Sequence, residues 1–115
     1  DKNKIILKSP QADISLKNGT WLMVGAKAGE YNRNKSILNL KGDVSLFQDE
    51  GYEMHTETAT LFIESGSGRG DRRINAQGSF GQLTSQGFKF TNKGDIFFFK
   101  GPSKLILNPS GGKIE

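Results

Sequence analysis

The sequence predicts an all-β fold, and three observations predict it. Apolar and polar residues alternate in short runs along most of the chain, which places one face of each run in a core and the other in water. Clusters of turn-forming residues separate the runs. No window of ten or more residues carries apolar positions at helical spacing.

Taken in order, the first alternating run holds Ile14 and Leu16, and Asn18-Gly19 closes it. Leu38 and Leu40 begin a longer run whose parity continues across Gly42 to Val44 and Leu46. Asp49-Glu50-Gly51 marks the next turn, after which Tyr52, Met54 and Thr56 alternate, then Leu61 with Ile63. Ser65-Gly66-Ser67-Gly68 reads as a turn opening a glycine-rich loop over 65–73. Phe88 and Phe90 form the following run, ended by Asn92-Lys93-Gly94-Asp95. Ile96-Phe97-Phe98-Phe99 and Leu105-Ile106-Leu107 are apolar on both faces, so a second layer or a partner must meet the outer one. Pro109-Ser110-Gly111-Gly112 is the last turn signal.

Two stretches resemble each other. LKGDVSLFQDEGYEMHT (40–56) set over AQGSFGQLTSQGFKFTN (76–92) aligns Gly42 with Gly78 and Gly51 with Gly87, an offset of 36 in both cases. Tyr52 then falls on Phe88 and Met54 on Phe90. Gly51 and Gly87 are expected in hairpin turns that need positive φ. Gly42 and Gly78 are expected inside strands, marking a bulge, a bend or a close approach. FFFKGPSKLIL (97–107) puts Gly101 in the same setting as Gly42. A strand bent at a repeated position builds a solenoid-like roll or jelly roll rather than a flat sheet.

Composition bounds the rest. A chain of 115 residues is sized for one domain. Its 15 Gly, against 3 Pro, belong to a chain that turns often. With no Cys there is no disulfide framework, thiolate metal site or Cys nucleophile. A net charge of +4 favours an anionic neighbour. No stretch approaches the ~18 apolar residues of a membrane helix. The chain begins at Asp1 without Met, which suggests a removed anchor or signal.

Candidate chemistry is sparse, and no cofactor or metal is implied. His55 is the single histidine and reads as a surface residue beside Glu53 and Glu57. Asp49, Glu50 and Glu53 suit a hairpin turn, with no second carboxylate visible across a cleft. SGSGRGD (65–71) lacks the Gly-Lys-Ser/Thr ending and the helix of a phosphate cradle, and a flexible loop accounts for its Arg-Gly-Asp. FKFTNK (88–93) is the nearest approach to a nucleic-acid-binding pattern, and its aromatics already have an inward role, so no nucleic-acid partner is expected.

Residues L-x-L-x-G-x-V at 38–44 match the lipopolysaccharide-transport β-fold of OstA-like proteins. GDVSLFQDEGYEMHTETATLFIESG (42–66), INAQGSFGQLTSQGFKF (74–90) and GDIFFFKG (94–101), with GTWLMVGAKAGEYN (19–32) upstream, resemble the periplasmic domain of the LptC family over roughly residues 14–107. The resemblance implies a single periplasmic domain, 1–115: a twisted, partly open β jelly roll of short antiparallel strands, held at the inner membrane by a helix not in this chain. It implies a non-enzymatic role, binding lipopolysaccharide and passing it from an inner-membrane ABC transporter complex to a periplasmic bridge protein of the same fold. The inner face that would hold lipid is Leu38, Leu40, Val44, Leu46, Tyr52, Met54, Leu61, Ile63, Ile74, Phe80, Phe88, Phe90, Phe97 and Phe99. The same set would serve as the core of a closed β sandwich. Arg72 and Arg73 are candidates for lipid phosphate, whose geometry the Arg fork suits. Partners would dock by strand addition at exposed edges. Ser103, Lys104, Leu105, Ile106 and Leu107, in a strand over 103–108, would meet the bridge, and a strand near 12–17 or 20–25 the transporter. The soluble bridge subunit of the same fold, or a carbohydrate- or protein-binding β-sandwich module, are the alternatives.

Overall fold

The computed structural model describes residues 2–15, 19, 21–91 and 96–107. The expected turns at 92–95 and 109–112, together with Asn18, lie outside the described residues. Every regular element described is a strand: β1 (Lys4–Lys8), β2 (Gln11–Ser15), β3 (Trp21–Gly25), β4 (Ala28–Asn32), β5 (Ile37–Gln48), β6 (Glu53–Phe62), β7 (Ser67–Gly70), β8 (Ile74–Gly78), β9 (Gly81–Ser85), β10 (Gly87–Thr91), β11 (Ile96–Lys100) and β12 (Lys104–Leu107). All pair antiparallel in one sheet that does not close on itself, as the fold-class expectation requires.

The order of pairing is simpler than twelve strands suggest. β1 runs on into β2, β3 into β4, β7 into β8, β9 into β10 and β11 into β12, each pair broken by one to three residues. With the unbroken β5 and β6, the chain is an up-and-down meander of seven long strands, each paired only with its neighbours in sequence. Every long strand bends near its middle, roughly once per fifteen residues. These bends line up into a crease across the sheet. In β5 the bend is a bulge: residues 42–43 intervene as the register with β6 shifts between Lys41 and Val44. Gly42 (φ 85°) and Asp43 (φ 51°) both take left-handed backbone there, open to Gly and less costly for Asp than for most residues. Backbone bonds carry the pairing through the bend: Ser9 N–H donates to Lys27 O and Lys27 N–H to Gly42 O, both at 2.8 Å. β6 answers by switching its buried parity, from Met54 and Thr56 to Ala59 and Leu61.

The crease divides the sheet into two leaves. The first holds β1, β4, the start of β5, the end of β6, β7, β10 and β11; the second holds β2, β3, the end of β5, the start of β6, β8, β9 and β12. Their inner faces share one core, centred on Val44, Leu46, Leu61, Ile74 and Phe88. Near the N-terminal edge, Ile14 and Leu22 of the second leaf meet Leu61, Ile63 and Phe90 of the first, leaving a gap of only about 10 Å³.

Three sequence expectations are corrected. The 36-residue repeat is not structural: Gly42 lies on the crease and Gly78 at a tight turn, whereas Gly51 lies in a turn and Gly87 just past a crease. Thirty-six is not a multiple of the long-strand spacing, so the two copies fall out of phase. Gly51 has the expected positive φ of 101°, but Gly87 does not. Gly87 is needed for close approach instead, since a Cβ there would lie 2.8 Å from the Gly70 carbonyl oxygen. Second, the loop expected over 65–73 contains strand β7. Third, the strand expected near 20–25 as a docking edge is internal, because β3 pairs with both β2 and β5. Among the described residues the edges are β1 and β2 on one side and β11 and β12 on the other. Gly101 does repeat the setting of Gly42, on the crease with φ 71°.

Candidate functional site

Directly paired residues of an antiparallel sheet share a face, so the register traces each row of inward side chains. In the second leaf one row runs Ala12, Val24, Leu46, Met54, Ala76, Leu83, Leu105. It crosses the leaf from edge to edge and is apolar throughout. Val24, Leu46, Met54 and Ala76 are buried, Leu83 is half-buried, and Leu105 is 54% exposed. In the first leaf a matching row runs Ile5, Tyr31, Leu38, Leu61, Gly68, Phe90, Phe97. The interior is sealed in its middle and uncovered toward β11 and β12.

An apolar cleft of about 280 Å³ opens on that side, near the lower end of the size range of small-ligand sites. Met54, Ala76 and Leu83 form its floor, Tyr52 and Phe80 stand at the turn end, and Phe97 and Phe99 of the first leaf form the wall. Ring pairs pack in and beside the cleft: Tyr52 and Phe80 are 5.8 Å apart, Phe90 and Phe97 5.1 Å, and Phe97 and Phe99 6.3 Å between centroids. Gln48 and Gln77 are the polar members of the lining. The Gln48 Oε1 atom is buried with no hydrogen-bond partner. A larger concavity of about 500 Å³ lies along the outward row Glu53, Gln77, Gln82 and Ile106, with Leu107 and glycine backbone completing its mixed lining.

Of the fourteen predicted inner-face residues, Leu38, Leu40, Val44, Leu46, Met54, Leu61, Ile74, Phe88 and Phe90 are buried. Ile63, Phe80, Phe97 and Phe99 are half-buried, and Tyr52 is 40% exposed. The less buried members sort by place: Tyr52, Phe80, Phe97 and Phe99 all line the cleft, and Ile63 lies at the opposite edge. Ala76, Leu83 and Gln48 line the cleft beyond the predicted set. Leu83 carried a signal, alternating with Gly81 and Ser85, but with no second large apolar residue to mark the run. Leu22 and Val24 were hidden because Trp21-Leu22-Met23-Val24 is apolar on both parities; Trp21 and Met23 face outward, 49% and 45% exposed.

Arg72 and Arg73 are exposed on the crease, between β7 and β8, and do not line the cleft. The Arg73 carbonyl accepts a 2.9 Å hydrogen bond from Thr56 Oγ1, which ties that bend to β6. Ser103 precedes β12, and Lys104, Leu105, Ile106 and Leu107 form it. All five are exposed, and among the described residues β12 pairs only with β9. His55 is exposed with Nε2 3.5 Å from Glu53 Oε2, while Glu53 Oε1 accepts from Gln77 Nε2 at 2.9 Å. No group of His, Asp and Glu suited to holding a metal occurs among the described residues. Nor, among them, is there a helix long and apolar enough to cross a membrane.

A family model described as "Lipopolysaccharide-assembly, LptC-related" matches residues 1–104, which is nearly the whole described chain. No curated protein matches the sequence.

Proposed function

The chain belongs to the LptC-related lipopolysaccharide-assembly family, whose role is lipopolysaccharide transport, and on that premise we propose that its open cleft shelters lipopolysaccharide acyl chains in transit. One observation carries the reading: the apolar rows of the interior stay uncovered at β11 and β12, where a closed sandwich would bury them. Each methylene withdrawn from water is worth ~0.8 kcal/mol, so a twelve-carbon chain left exposed costs about 10 kcal/mol. A lined cleft removes that cost without a chemical step, and the role is non-enzymatic.

The same openness supports a bridging role. Among the described residues, β12 has no strand on its far side, and Leu105 and Leu107 continue the inner face toward that edge. A periplasmic bridge protein of like fold that adds a strand to β12 would extend the apolar interior into its own. β2 and β1 are the edges left for the inner-membrane ABC transporter complex. Periplasmic placement, inner-membrane anchoring and phosphate contacts through Arg72 and Arg73 belong to the same proposal.

The test is binding of purified lipopolysaccharide, followed by displacement of an apolar fluorescent probe. Phe80→Asp places a carboxylate among the half-buried rings of the mouth and lowers affinity tenfold or more; His55→Asp, on the outer face, leaves it unchanged. Equal affinity in both variants would remove the cleft from the account.

A further inference from the structure

The outer face of the second leaf carries an apolar patch of its own. Met23 and Phe47 are paired neighbours on β3 and β5, and Trp21 stands two residues before Met23. All three point outward and are exposed. Carboxylates ring the patch. Asp13 pairs with Met23 on one side and Glu53 with Phe47 on the other, and the N–H of Asp49 donates to Trp21 O at 3.2 Å. Lys104, on the far strand, is the only Lys or Arg in the described strands of this leaf. The charge of the molecule is therefore segregated. The chain is basic, and Lys41, Arg69 and Lys89 stand on the outer face of the first leaf, whereas this face is acidic. The row through Asp13, Met23 and Phe47 continues past Glu53 along the concavity of about 500 Å³ to Ile106. From Met23 to Ile106 the row crosses from β3 to β12, a span of roughly 24 Å at ~4.8 Å per strand.

We propose that this face docks a cationic amphipathic helix of a partner protein. The apolar stripe of the helix covers Trp21, Met23 and Phe47 at one end and reaches Ile106 at the other. Its Lys or Arg side chains meet Asp13, Asp49 and Glu53. Aromatic and Met side chains inside a charged rim are the usual anchors of a protein interface. Strand addition needs a free sheet edge, which a sheet face lacks, so a helix laid in the concavity is the mode that fits. A helix of about sixteen residues covers the span. The carboxylates disfavour an anionic bilayer here, and they orient a cationic partner that the rest of this basic molecule repels. The docking is independent of the lipid reading, because the cleft opens on the opposite face of the same leaf.

Trp21 is the only tryptophan, so its emission reports directly on whether the patch is covered. The probe is a synthetic sixteen-residue helix of Leu, Ala and Lys without Trp, compared with a matched helix carrying Glu in place of Lys. The Lys helix is expected to shift the emission to the blue saturably, and less so at high salt; the Glu helix is expected to leave it unchanged. Met23→Lys and the double variant Asp13→Lys, Glu53→Lys are each expected to weaken binding about tenfold. These positions face water, so folding is not at stake. No response to the Lys helix, an equal response to both helices, or full affinity in the variants would overturn the proposal. An emission shift on raising the protein concentration alone would give the face to a second copy instead. A shift with phosphatidylglycerol vesicles that the same variants abolish would give it to a bilayer, and either result would overturn the proposal too.

Discussion

Phe88 lies across from Gly70 and Phe90 across from Gly68, and both rings are almost completely buried. A Cβ on Gly70 would sit 2.5 Å from Phe88 Cε1 and 2.8 Å from the Thr58 carbonyl oxygen. A Cβ on Gly68 would meet Phe90 Cε2 at 2.5 Å and Leu61 Cδ2 at 2.9 Å. The glycines of β7 are thus the recesses into which the phenyl rings of β10 pack. Gly70→Ala is expected to destabilise the fold by about 1–3 kcal/mol, and by more than Gly68→Ala, because one obstacle is backbone and does not swing aside. Urea unfolding of the two variants checks the order. Alternation in the sequence was enough to place Phe88 and Phe90 inside. The glycines facing them were not legible, because Ser-Gly-Ser-Gly-Arg-Gly-Asp has the composition of a loop, and its role as a strand depends on rings twenty residues away. Gln48 was illegible for a related reason: a lone amide before an acidic turn looks like surface until its row is known.

At the scale of elements, the sequence marks the crease at Gly42 and Gly101 but not in the other long strands. It is written in unlike residues: Ser9-Pro10 in one long strand, Gly42-Asp43 in another, Gly101-Pro102 in a third. Only the backbone they adopt is shared, with positive φ at Ser9, Gly42, Asp43 and Gly101. Between β9 and β10 the bend is held by Ser85, which is buried, with its Oγ 2.6 Å from Lys100 O and 3.0 Å from Gly87 O. Ser103 Oγ donates to Ser85 Oγ at 3.2 Å, so one hydroxyl joins the bends of the last two long strands. Ser85→Ala removes the one hydroxyl proton held between the two carbonyls, leaving Lys100 O with the Gln86 N–H alone, and is expected to cost about 1–2 kcal/mol. Amide exchange at Gln86, whose N–H donates to Lys100 O at 3.1 Å, should speed up with it. The edge strand behaves differently. Leu107 is 65% exposed, so Leu107→Asp is expected to change stability by less than about 0.5 kcal/mol while weakening addition of a partner strand beyond β12. Retention of stability together with loss of cross-linking to a roll of like fold would bear this out.

For the whole molecule, the two leaves are closed on one side and open on the other. Where Ile14 and Leu22 meet Leu61 and Phe90 there is almost no free volume; where Met54 and Leu83 face Phe97 and Phe99 there is about 280 Å³. That asymmetry opens the interior, among the described residues, beside the edge through which the chain would hand lipid onward. The all-β class and most of the inward residues were readable from alternation, which is a property of single strands. Openness was not, since it depends on how the leaves meet across the crease. The β11 strand offers the most direct test, because consecutive residues on it face opposite ways: Phe97 and Phe99 into the cleft, Phe98 outward, where the ring is 51% exposed beside Lys89 Nζ at 5.9 Å. A photo-cross-linking amino acid placed at each of the three in turn, with purified lipopolysaccharide added, would report which face meets lipid. Adducts at 97 and 99 without one at 98 are the predicted result; adducts at 98 alone, or equally at all three, would contradict a lipid-lined interior.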